Sequence, residues 1–297
     1  MEIYRLPRYR GNRWASCFYD CLLTILNNKK NDFSFIFLDM LSLVINVENI
    51  NKQLYTNIFF DKWLDYSLDF YVGVNLINEK KIEKLFCNEY AIVQLKSNLW
   101  KYDEHYKDVL YENSYHFCIL PPSKHINSEN SLKMIDPYHD RYIVCKLEEL
   151  KEAYIEHYFL KGEANIKYST EELRMILLQK IENFFCSLNK LLAYLKFING
   201  DCASIDGLES LAQEFADRME LFLTTILYLY KNFYKSSYYS RYIKIIIHWQ
   251  NIRKVLFKKL DLTKRENKIF IHNEAIRTLI SSRELFYEMR QALELNV

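Results

Sequence analysis

SYHFCILPPSKHINSENSLKMIDP, residues 114–137, decides how this chain is read. Two runs rich in aromatic and branched residues, 114–120 and 132–136, alternate in the way a strand does. Each is stopped by proline, Pro121-Pro122 after the first and Pro137 after the second. Proline has no N–H to give to a ladder, so it ends a strand. The polar stretch PSKHINSEN, residues 122–130, joins the runs. Two strands joined this way predict an antiparallel hairpin, with a midpoint near Ile126 that sets His116 roughly opposite Asp136. A histidine beside a carboxylate is held in one tautomer and its imidazolium is stabilised. Such a pair is equally at home as a structural ion pair, so the hairpin alone leaves both readings open.

Working outward, Cys17 to Leu26 predicts a helix, with Phe18, Cys21, Leu22, Ile25 and Leu26 recurring at helical spacing. Ser16 precedes it in an N-cap position. A thiol at a helix start has its thiolate favoured by the helix dipole and by a neighbouring imidazolium. Cys17, His116 and Asp136 then follow one another as nucleophile, base and orienter. A buried structural thiol is the ordinary role of a lone cysteine; the histidine and carboxylate tip Cys17 toward catalysis. Cys21, amid Leu22 and Ile25, reads as core, and Cys118, on the face of His116, as packing. His105 and His139 are rival bases; His105 sits in a charged, tyrosine-rich loop, and His139 follows Asp136-Pro137 closely enough to line the site.

The chain has 297 residues, 50% apolar and 26% charged, which is globular rather than disordered. Its 40 basic and 38 acidic side chains leave a net charge of +2, too little for a bulk electrostatic grip on nucleic acid. The start, MEIYRLPRYRG, lacks the apolar core of a signal peptide, and no apolar run reaches membrane-spanning length. A cytoplasmic protein with reduced thiols is therefore expected. The seven cysteines include no C-x-x-C pair, which argues against zinc, and no metal or cofactor is assigned. The basic runs Lys29-Lys30, Lys80-Lys81 and Lys258-Lys259 read as solvated faces.

Composition changes near residue 150. All four prolines lie before it. There, 33–46 is apolar and of either type, 69–74 predicts a strand, 80–86 a short helix, and 90–95 and 141–145 strands. Beyond it, 148–159, 170–198, 205–233, 238–260 and 273–293 carry helical periodicity, broken at Asn199-Gly200-Asp201. The last four of these predict a bundle. Tyr228 to Tyr242 is richer in tyrosine than an open face requires, which burial in the bundle, or a dimer surface, accounts for.

A cysteine on an N-terminal helix, Tyr115-His116-Phe117 on a strand and Met134-Ile135-Asp136-Pro137 on the next resemble the papain-like cysteine peptidase fold. More closely, the chain resembles the butirosin-type acyltransferases, relatives of the double-glycine leader peptidases. Ser16-Cys17 ahead of Cys21-Leu22-Leu23, the tract 95–106 and Asp206-Gly207-Leu208 through Leu211-Ala212 carry the rest of the likeness. Closthioamide-type amidotransferases are similar in logic. The resemblance implies an α+β protein, with a papain-like catalytic domain over 1–160, its cysteine helix packed on an antiparallel sheet, and a helical domain over 161–297. It implies an acyltransferase of natural-product biosynthesis that takes an acyl or peptidyl group from the phosphopantetheine thioester of an acyl carrier protein and passes it, through an acyl-Cys17 intermediate, to an amine. Cys17 is the implied nucleophile, His116 the base and Asp136 the orienter, with no cofactor. Charge and hydropathy give no nucleic acid and no membrane as partners, and the apolar second-half helices offer a surface for a homodimer. The backbone N–H of Cys17 is one oxyanion donor. Papain-like enzymes add an upstream glutamine; Asn12 stands at nearly that separation and is given the role. Trp100, Tyr102 and Tyr106, in a long connection of the kind that forms lids, are assigned with Tyr115 and His139 to substrate binding. A cysteine peptidase or thioester hydrolase with the same triad, and a non-catalytic binding member of the fold, are the alternatives.

Overall fold

A computed structural model describes residues 17–27, 31–50, 53–60, 64–86, 89–96, 115–122, 131–197, 205–257 and 264–295. The chain is α+β, with an antiparallel six-stranded sheet and several helices. Helix α1 (Cys17–Asn27) opens it. Leu22, Leu23 and Leu26 share its buried side, and Asp20 stands in the first turn, where the helix dipole favours an anion. The apolar stretch 33–46 proves to be two things: a 3-10 turn, Ser34–Asp39, and the start of strand β1 (Leu43–Ile50). That strand pairs with β2 (Gln53–Phe60) in a hairpin from Leu43↔Phe60 to Ile50↔Gln53. A short helix α2 (Leu64–Ser67) follows.

The expected strand at 69–74 is not formed. Leu68–Val72 wind into a π-turn that closes on Gly73, whose N–H donates to Leu68 O at 2.9 Å. Gly73 has φ +82°, and Gly162 has φ +114° with Gly73 O 2.9 Å from where its Cβ would stand. Any side chain at 162 therefore collides with backbone as well as strains it. The strand lies just beyond, as β3 (Asn75–Glu79). The expected helix at 80–86 reduces to one 3-10 turn, Ile82–Lys84.

Strands β4 (Ala91–Lys96), β5 (Tyr115–Leu120), β6 (Ser131–Asp136) and β7 (Arg141–Lys146) fall where alternation and prolines set them. Helix α3 (Leu147–Ala153) then gives way to strand β8 (Tyr154–Lys161), where the sequence predicts one helix over 148–159. The segment YIEHYFLK is rich in β-branched and aromatic residues, and it enters the sheet between two partners, β3 and β4. Ladder bonds on both edges override a helical spacing that only its first half uses. The sheet order is β3-β8-β4-β5-β6-β7. Four long helices complete the chain: α4 (Thr170–Phe197), α5 (Ile205–Leu229), α6 (Ser237–Phe257) and α7 (Arg265–Glu294). The second ends four residues short of the predicted Phe233, and the last begins eight residues before the predicted Asn273.

The chain divides into two compact units, neither continuous in sequence. One joins residues 17–33 to Leu68–Lys167, and thus α1 to the six-stranded sheet. One side of that sheet packs Val93, Leu95, Cys118, Leu120, Met134 and Ile143 with Leu150 and Ala153 of α3. The other unit joins Ser34–Ser67 to Tyr168–Val297. The β1–β2 hairpin lies against α5 there, so residues 34–67 go with the helices, where the sequence reading has a single boundary after residue 160. Trp249 stacks on Phe215 at 4.5 Å, and Phe184 meets Phe286 edge-on at 4.8 Å, forming the aromatic centre of this unit. Among the described residues, no helix is long and apolar enough to cross a membrane.

Candidate active site

Strands β5 and β6 pair through Ile119↔Ile135. Continuing that register sets Asp136 opposite Cys118 and Tyr138 opposite His116, two residues from the direct facing expected of the hairpin. His116 and Asp136 therefore meet as a diagonal pair on one face, still within reach. His116 Nε2 lies 2.9 Å from Asp136 Oδ2, and both side chains are buried. The other carboxylate oxygen, Oδ1, accepts the backbone N–H of His139 at 3.2 Å. This is an Asx-type bond that ties the carboxylate to the turn carrying the chain from β6 to β7. Asp140 in that turn has φ +58°, a left-handed conformation that aspartate tolerates. The turn thus fixes the carboxylate, and the carboxylate fixes the ring.

Nε2 faces the carboxylate, and Nδ1 is the ring's other nitrogen. The Cys17 and Cys118 thiols stand close enough to the His116 imidazole to act on its charge. Burial alone pushes the imidazole pKa down. The Cys17 charge, the bond to Asp136 and the nearby Cys118 thiol outweigh it, and His116 is held well above the ordinary histidine value of 6.5.

Three thiols cluster here, and their surroundings separate them. Burial pushes the Cys118 thiol up to about 12, against the lowering effect of His116. Burial likewise raises Cys21 well above the usual thiol range, and its Sγ–H donates to Phe117 O at 3.5 Å. Cys21 and Cys118 are fully enclosed, whereas Cys17 is only partly buried. Cys17 is also the first residue of α1, whose leading N–H groups have no partner inside the helix. It is the thiol that combines access, an imidazole and a helix N-terminus.

Rings wall the site. Tyr138 and His139 lie 5.9 and 5.4 Å from the His116 ring. Beside Cys17, Phe18 packs edge-on against Phe117 and Tyr158, each at 5.2 Å. Tyr115, 58% exposed, leans edge-on against Phe117 at 5.9 Å. Cys17, His116, Asp136 and His139 are thus brought together, and Tyr115 stands on the neighbouring aromatic side. The sequence does not single out Phe18, Tyr138, Tyr158 or Cys118 as site residues. Phe18 and Tyr138 were visible there only as neighbours of Cys17 and His139. Asn12, Ser16, Trp100, Tyr102, His105 and Tyr106 lie outside the described residues.

His116, Asp136 and His139 each offer a donor atom, and these atoms lie within 4.8 Å of one another, so a small dication would find three ligands here. In the present arrangement Nε2 and Oδ2 are joined to each other by a hydrogen bond. No protein-family model matches the chain, and no curated protein does.

Proposed function

We propose that the chain is a cysteine-dependent acyltransferase that forms amides, on a papain-like arrangement of α1 and the sheet. One observation carries this reading: a partly exposed cysteine at a helix N-terminus acts electrostatically on an imidazole whose Nε2 is 2.9 Å from a buried carboxylate. In that reading the Cys17 thiolate attacks the carbonyl of a carrier-protein thioester. The carbon–sulfur bond to the carrier breaks, and the departing thiolate takes the proton from the His116 imidazolium. His116, neutral again, accepts the N–H proton of an amine as it attacks acyl-Cys17, and the Cys17 thiolate leaves. The products are an amide and the carrier thiol. The donor is an activated ester, so no ATP and no cofactor enter. Asp136 keeps the Nδ1 side of the ring toward the sulfur. The backbone N–H of Cys17, with Asn12, serves the oxyanion. The rings around His116 and Cys17 favour amine over water by keeping the acyl-enzyme dry. The protein acts in the cytoplasm, in specialised metabolism, with an acyl carrier protein as donor.

The test uses octanoyl-N-acetylcysteamine as donor and benzylamine as acceptor. Mass spectrometry is expected to find an octanoyl adduct on the peptide containing Cys17, and amide forming faster than free octanoate once amine is added. Octanoate outpacing amide makes the protein a thioester hydrolase with the same triad. No adduct on Cys17 removes covalent catalysis altogether.

A further inference from the structure

The tyrosine-rich stretch after residue 228, which acyl transfer does not use, lines a cavity of about 740 Å³ within the helical unit. That volume is in the range of pockets for small organic ligands, roughly 300–1,000 Å³. Tyr228, Tyr230 and Tyr238 give it aromatic walls, and Met289 and Leu293 of α7 give it an aliphatic side. Four helix ends meet here, the starts of α4 and α6 and the ends of α5 and α7. Two positive and two negative dipole ends largely offset one another, so side-chain charge decides the sign of the site.

That charge is positive. The described lining residues include Arg174 and Lys231 and no carboxylate. Arg174 is pinned in place: its Nε and Nη2 donate to Leu229 O at 3.3 and 3.1 Å, and its guanidinium lies over the Tyr230 ring, 5.0 Å from the centroid. Its Nη1 is 3.6 Å from Glu171, longer than a hydrogen bond, and that carboxylate is 58% exposed. Glu294, next to the lining residue Leu293, is held by Arg290 at 3.1 Å. Neither carboxylate belongs to the lining, and Lys231 is exposed. A fixed guanidinium over a tyrosine ring and an exposed ammonium in the same lining are matched by a flat aromatic body with one anionic group.

We propose that this cavity is a binding site for an amphipathic organic anion, an aromatic ring system bearing a single carboxylate, sulfonate or phosphate. The site is independent of the acyl-transfer reading and stands or falls separately. The probe is 8-anilinonaphthalene-1-sulfonate, compared with N-phenyl-1-naphthylamine, the same ring system without the sulfonate. Calorimetry on the full chain is expected to give one saturable site for the sulfonate. The uncharged analogue should bind at least about tenfold more weakly, the size of one charge-assisted hydrogen bond. Lys231→Glu, an exposed change that leaves the fold intact, should weaken the sulfonate about tenfold and leave the analogue unchanged. Ala292→Trp, which fills the cavity, should abolish saturable binding of both. Equal affinity for the two probes overturns the proposal, as does Lys231→Glu without effect. If Ala292→Trp does not fold, the comparison of probes and Lys231→Glu decide alone.

Discussion

Cys17→Ala is expected to abolish the covalent octanoyl adduct and to lower amide formation by at least about 10⁴-fold, since it removes the nucleophile itself. The neighbouring thiols are not substitutes. Cys21 and Cys118 are fully buried, and burial raises both well above the range in which a thiolate forms. Stability should change little by comparison, because Cys17 is partly exposed and its side chain is small. The measurement is single-turnover kinetics with the thioester, alongside urea unfolding of both proteins. Turnover retained in Cys17→Ala contradicts the nucleophile assignment. Activity and stability lost together would mean that the thiol is structural.

The second large effect is at Asp136. Its carboxylate holds the His116 ring through Oδ2 and the β6–β7 turn through Oδ1. Asp136→Ala leaves a buried imidazole and a turn N–H without their acceptor, a loss of about 3–5 kcal/mol. Asp136→Asn keeps the shape and can still receive the turn N–H. It removes the charge that orients the ring, and about 10³–10⁴-fold in rate is expected to go with it. The pH dependence follows from His116, whose folded pKa lies above its unfolded value near 6.5. Its contribution to stability is complete below pH 6.5 and is lost as pH rises through the raised folded value. Wild-type protein should therefore lose stability on going from pH 6 upward in urea titrations, and Asp136→Asn should show a shallower fall. A parallel slope in the two proteins would mean that the carboxylate does not hold the imidazolium.

The pairing of His116 with Asp136 was more legible than much of the fold around it. Strands β5 and β6 announce themselves by alternation and by the prolines that end them, and α1 by its apolar spacing. Chemistry-bearing residues on three such elements could be brought together from sequence, even though the register came out two residues off. The rest depends on tertiary context. Strand β8 sits inside a helical pattern because what fixes it is the pair of neighbours on its edges, β3 and β4. The π-turn at Leu68–Val72 reads as a strand because DFYV has β-forming side chains, and only the left-handed Gly73 betrays the turn. Residues 34–67 pack with helices more than a hundred residues later in the chain, a relation that no local window contains. The sequence places Cys118 on the face of His116, but its effect on the ring depends on burial, which a local window does not contain.

The central claim is that a sulfur, an imidazole and a carboxylate form one electrostatic unit, and NMR of ¹⁵N-histidine-labelled protein addresses it most directly. The seven histidines can be distinguished by comparison with His116→Gln. The account predicts that His116 remains an imidazolium above pH 6.5, with its Nε2 proton shared with Asp136, and that Cys17→Ala moves its titration to lower pH. A His116 that titrates near 6.5, at the same pH with and without the Cys17 sulfur, would contradict it.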